Sequence, residues 1–135
     1  MTLALNELTG ITPALETKLR TLGIKDSDQL LEAARTPKQR QELAKKLGLP
    51  TRELLELANR ADLARVKGIG SAYANLLEEA GVDTVKELAT RRPDNLHAKL
   101  REVNDDGRWV KQLPTLTQVE NWIRQAKQLP KLLEY

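Results

Sequence analysis

Cysteine and phenylalanine are absent from the 135 residues, methionine and histidine occur once each, and aromatic residues make up only 3%. The missing cysteine excludes disulfides, thiol catalysis and Cys-ligated zinc, and fits a reducing compartment. The single His97 has no companion ligands at metal-binding spacing, and Asp105-Asp106 lacks the alternating oxygens and closing Glu of a calcium loop. No phosphate-binding Gly loop, nucleophile elbow or dinucleotide fingerprint occurs, so neither an enzyme nor a cofactor or metal is expected. No apolar run approaches the ~18 residues a spanning helix needs. The start, MTLALNELTGITP, has no basic segment, and its apolar stretch breaks at Asn6 and Glu7. A soluble cytoplasmic protein is expected, away from membranes.

What is abundant is leucine. There are 25 Leu against 6 Val and 4 Ile, a balance that favours helices over sheet. At 40% hydrophobic and 30% charged the chain is apolar enough to fold. Its length suits one compact domain or two small ones of about 60 residues. A net charge of +3 and a pI near 9.3 are mildly basic and compatible with nucleic acid.

An internal repeat organises the chain. Gly10-Ile11, Leu15, Leu19, Leu22, Gly23 and Ile24 recur 58 residues later as Gly68-Ile69, Tyr73, Leu77, Ala80, Gly81 and Val82. Leu54, Leu57, Ala58 and Ala61 recur about 65 residues later as Val119, Trp122, Ile123 and Ala126, each block preceded by Leu-Pro-Thr. The periodicity is helical and the punctuation agrees. Thr12-Pro13 and Thr36-Pro37 read as N-cap plus first-turn proline, and Gly23, Gly48 and Gly81 as left-handed helix ends. Asp26-x-x-Gln29, Thr36-x-x-Gln39 and Thr117-x-x-Glu120 have capping-box spacing. The expected helices are 3–8, 13–22, 27–35, 37–47, 52–66, 71–80, 84–91, 94–103 and 117–128, with a longer loop over 104–113. The expected units are 1–62 and 63–135. Arg52 to Val66 has no Gly, Pro or Ser, so the units are expected to dock rigidly into one body.

Lys67-Gly68-Ile69-Gly70 precedes the helix that begins at Ser71, and here the sequence resembles the helix-hairpin-helix motif, an apolar residue between two glycines before a helix. Glycines permit a tight turn and close backbone approach, leaving helix N-terminal amides open to a phosphate. Thr9-Gly10-Ile11-Thr12-Pro13 is a weaker copy with one glycine, and Leu47-Gly48-Leu49 a more degenerate one. More widely, ADLARVKGIGSAYANLLEEAGVDTVKELATRRPDNLHAKLREVN followed by LPTLTQVENWIRQAK resembles domain-of-unknown-function family 4332, with a weaker first copy over residues 4–62. That resemblance implies an all-α fold of tandem helix-hairpin-helix, SAM-like units, and brings no activity with it. The resemblance to the motif implies non-specific grip on DNA phosphates through the amides of Gly68, Ile69, Gly70 and Ser71.

Neither copy carries the lysine that DNA-binding hairpins often place after the second glycine; Ser71-Ala72 and Pro13-Ala14 stand there. Arg65, Lys67, Arg91 and Arg92 are therefore the candidate cations beside the second hairpin. Glu16, Glu78 and Glu79 would repel a phosphate if they faced it. Basic clusters at 35–46 and 86–101 are either phosphate-contacting faces or ordinary solvated helix surface. Trp109, beside Arg108 and Lys111, is either a contact for a base or a protein partner, or a pin holding its loop on the core. Trp122 falls on a core stripe. Two functions remain open: a non-catalytic protein binding the nucleic-acid backbone without sequence preference, or a protein-interaction module using Arg108 and Trp109. Either is expected to act as a monomer, with DNA or another protein as partner.

Overall fold

Threonine, aspartate and proline mark where helices begin. The computed structural model describes residues 2–135, in which a single 3-10 turn (Leu5–Glu7) is followed by eight α-helices. These are α1 (Pro13–Thr21), α2 (Ser27–Ala33), α3 (Pro37–Leu47), α4 (Thr51–Leu63), α5 (Ser71–Glu79), α6 (Val85–Ala89), α7 (Pro93–Gly107) and α8 (Leu116–Gln128). The fold is all-α; the sole β feature among the described residues is an isolated bridge between Ala4 and Asp26.

The caps follow local chemistry. Thr12, Asp26, Thr36, Thr84 and Thr115 each accept the amide hydrogen three residues on, satisfying a donor that the helix cannot. The α8 box is Thr115/Gln118 rather than Thr117/Glu120, because Pro114 already ends the preceding chain and the helix starts at once. Gln29 closes on the Lys25 amide at 2.7 Å instead of that of Asp26. The three expected left-handed ends are present, at Gly23, Gly48 and Gly81. After Gly23 and Gly81 the chain turns inward in the same way: the Ile24 N–H reaches Leu19 O at 2.9 Å and the Val82 N–H reaches Leu77 O at 2.8 Å.

Buried side chains form two clusters. In the first, Leu5, Leu19, Leu30 and Leu54 are fully enclosed, with α2 and α3 packed on α4. In the second, Ile69, Leu77, Leu88 and Leu100 are enclosed, with α6 and α7 packed on α8. Leucine fills the space that aromatics usually take, each enclosed side chain contributing about 1.5–3 kcal/mol. The final residues cross back: Leu133 is buried in the first cluster, and the Glu134 N–H donates to Arg35 O at 2.9 Å. Among the described residues no helix is long and apolar enough to cross a membrane.

Three expected segments differ. Residues 3–8 make only the 3-10 turn, since Leu3 and Ser27 tie the chain sideways through a 2.8 Å bond from the Leu3 N–H to Ser27 Oγ. The helix expected to reach Val66 stops at Leu63. The loop expected over 104–113 is shorter, because α7 continues to Gly107 and ends at Arg108 in the left-handed conformation (φ 51°). Asn104 explains the stop. Its side chain accepts the Val110 N–H at 2.9 Å and donates to Val110 O at 3.2 Å, folding the chain back onto the helix.

Candidate functional site

The second hairpin is built from the end of α4. Asp62 is buried at that end; its Oδ1 pairs with Arg65 Nη1 at 2.8 Å and its Oδ2 accepts the Val85 N–H at 2.8 Å. Val66 and Ile69 then insert as fully buried anchors. Between them Gly68 adopts φ +100°, and a Cβ there would lie 3.0 Å from the Trp122 indole nitrogen. Both the turn and the close approach of α8 therefore require glycine. Gln125 locks the same loop, accepting the Lys67 N–H at 2.8 Å and donating to Lys67 O at 3.0 Å. The loop is thus held from below by α8, while the Lys67 side chain stays exposed.

Gly70 is the N-cap of α5 and offers no capping side chain. No side chain caps the first turn of α5, at a helix end carrying about half a positive charge. The first hairpin differs although its backbone matches, Gly10 having φ +97°. Thr12 accepts the Leu15 N–H at 3.2 Å, and Pro13 has no N–H to give. One hairpin is self-satisfied and the other is open.

The two hairpins adjoin. Thr9 Oγ1 lies 3.2 Å from Ser71 Oγ and accepts from Asn75 Nδ2 at 2.8 Å. Arg60 links them, donating to Thr9 O at 3.1 Å and to Glu78 Oε1 at 3.3 Å, with its Nε 3.1 Å from Glu78 Oε2. Burial pushes the Glu78 carboxyl up from its ordinary value, opposed by the charge of Arg60. Glu78 and Glu79 stand at the far end of α5, about 13 Å from Gly70 at 1.5 Å per residue. Glu16 is paired with Arg20 at 3.3 Å.

Of the residues expected to form one site, Lys67, Gly68, Gly70 and Ser71 come together, with Ile69 as their buried anchor. Arg65 does not join them: its side chain is only 9% exposed, paired with Asp62 and donating to Pro130 O. Arg91 and Arg92 do not join them either. Arg91 pairs with Glu87 at 2.9 Å and donates to Gly81 O at 3.2 Å, at the end of α5 roughly 15 Å from the hairpin. Arg92 is exposed beside Asp94 at 3.6 Å. In the basic 35–46 segment Arg40 is buried, donating to Ala34 O and Arg35 O at 2.9 and 3.0 Å and to Glu134 O. His97 Nε2 donates to Pro114 O at 3.0 Å, since a carbonyl only accepts, and so serves the fold.

Trp109 is 44% exposed and its indole lies over Gly107, where a Cβ would come within 2.4 Å. Val110 packs on the second core and pins the loop; Trp109 and Arg108 stay outside. Sequence reasoning missed Gln125 and Arg60, long polar side chains whose partners lie 58 and 51 or fewer residues away. The offset repeat did bring Trp122 to the right face without indicating what it met.

These features define an all-helical protein in which tight Gly turns present helix ends. The chain belongs to the family described as Domain of unknown function (DUF4332), whose model matches residues 9–129. No curated protein and no solved structure matches it.

Proposed function

We propose that this is a non-catalytic protein of two tandem helix-hairpin-helix, SAM-like units (1–62 and 63–135) that binds the nucleic-acid backbone without sequence preference, as a cytoplasmic monomer. The observation that carries this reading is the uncapped start of α5 beside the exposed Lys67, on a loop fixed by Gln125 and Trp122. A phosphate oxygen placed there would take the first-turn amides of α5 that no side chain satisfies, and the Lys67 ammonium would add charge. Arg60 pairs with Glu78 and Arg20 with Glu16, so two of the three carboxylates that could repel a phosphate are each matched by a cation.

The contact is small, so its salt dependence must be shallow: log affinity falls by ~0.9 per phosphate neutralised per decade of salt. Fluorescence anisotropy with labelled duplex, junction and single-stranded DNA at about 50 mM salt tests it. Binding that weakens in Lys67→Glu is expected. Absence of binding to all three at tens of micromolar protein, or a Lys67→Glu variant that binds like the parent, refutes the proposal.

A second reading rests on Trp109 and Arg108, an exposed aromatic and cation of the kind that anchors protein interfaces. A protein partner captured after nuclease treatment, lost in Trp109→Ala and kept in Lys67→Glu, would favour it.

A further inference from the structure

The C-terminal tail encloses a cleft that the hairpin reading does not use. After α8 the chain runs past α6 before Leu133 enters the first core, leaving a space of about 330 Å³ between tail, α6, α8 and the end of α4. That volume lies at the small end of ligand sites, roughly 300–1,000 Å³. Its walls are apolar: Val85, Ala89, Ala126, Leu129, Leu132 and Leu133.

Its rim is cationic. Lys86, Lys127 and Lys131 line it, all exposed, and none enters an ion pair among the described residues. Asp62 is the one acidic side chain in the lining, and both its oxygens are engaged, by Arg65 and by the Val85 N–H. Burial, then Asp62 and Asp83, push the Tyr135 phenol up, so it remains a neutral hydroxyl. With Arg65 and Asp62 paired to each other, Lys86, Lys127 and Lys131 are the remaining charged side chains of the lining. The cleft shares Asp62 and Arg65 with the base of the hairpin, but its lysine rim lies on another face: a 3.6-residue period sets Lys127 about 160° round α8 from Gln125.

An apolar space with an unneutralised cationic rim suits a ligand with an apolar body and one anionic end. We propose that this cleft binds a small amphipathic carboxylate, its aliphatic part against Val85, Ala89 and Ala126 and its carboxylate between Lys86, Lys127 and Lys131. The proposal does not depend on the nucleic-acid reading.

Octanoate is the test probe, titrated into the full chain by calorimetry and followed by methyl NMR. The expected result is saturable one-to-one binding that shifts the Val85, Ala89 and Leu133 methyl signals. Octanol, of the same shape without charge, should bind at least ~10-fold more weakly. The exposed pair Lys127→Glu and Lys131→Glu should weaken octanoate by ~10-fold or more while leaving thermal stability near that of the parent. Ala89→Leu, which narrows the cleft from the partly exposed α6 face, should weaken octanoate and octanol alike. No saturable octanoate binding, octanol binding as tightly as octanoate, or octanoate affinity unchanged in the lysine variants would each overturn the proposal.

Discussion

Gly70→Asp separates the two glycines of the hairpin and tests what the start of α5 is for. Gly70 has φ −92° and ψ −170°, in the same extended region as the five side-chain caps, and nothing lies within 4 Å of a Cβ there. An aspartate would therefore fit without strain and accept a first-turn amide. Capping gains a few tenths of a kcal/mol over glycine. The helix dipole adds about 0.3–1 kcal/mol, and the stiffer unfolded chain about 0.4–1 kcal/mol. A stabilisation of about 1 kcal/mol follows, raising Tm by roughly 3–4 °C in a chain of this size. The same carboxylate occupies and repels the phosphate position, so DNA affinity should fall by at least ~10-fold. Urea unfolding with an unchanged m-value measures the first effect and anisotropy the second. A destabilised variant, or one that is more stable yet binds DNA like the parent, would refute the reasoning. Gly68→Ala is the contrasting control. With φ +100° and the Trp122 indole 3.0 Å from its Cβ, it should lose more than about 1 kcal/mol.

Asp62→Ala should cost about 3 kcal/mol in urea unfolding, because it removes the carboxylate that pairs with Arg65 and the acceptor of the buried Val85 N–H, while Arg65 keeps its bond to Pro130 O; a loss below about 1 kcal/mol would contradict that role. Removal of residues 131–135 should cost about 2–3 kcal/mol, through the lost burial of Leu133 and the lost carbonyl partner of Arg40. Equal denaturation midpoints with and without the tail would contradict its role in the first core. The Glu78 carboxyl titrates higher folded than unfolded, so its favourable contribution is complete below the unfolded value and lost as pH rises through the folded one. Acidification across the carboxylate range should therefore stabilise the parent relative to Glu78→Gln, and a pH-independent difference between the two would be inconsistent with that shift.

Most helix boundaries were legible because they rest on neighbours a few residues away. Thr36 reads Gln39, Asp26 reads Gln29, and Gly23 and Gly81 turn the chain after stripes whose spacing is plain. Even the error at 104–113 is local in origin. Asn104 and the two following aspartates are poor helix formers, and the bond pair from Asn104 to Val110 that holds the helix to Gly107 needs the chain already folded back. The candidate cations lie apart for a different reason. Arg65 and Lys67 stand two positions apart and look alike in the sequence. Only the packed structure places Asp62 and Pro130 around one and leaves the other in water.

The sequence by itself determined an all-α chain with its caps, its left-handed glycines and its leucine-lined faces, since each depends on periodicity and short-range hydrogen bonding. Tertiary structure decided which helix end stays open, which cations are spent on the fold and where a cleft remains. Those outcomes depend on Gln125 reaching Lys67, Arg60 reaching Thr9, and the tail returning to Arg35 and Arg40. Such contacts join residues 51 to 99 positions apart, beyond any local rule.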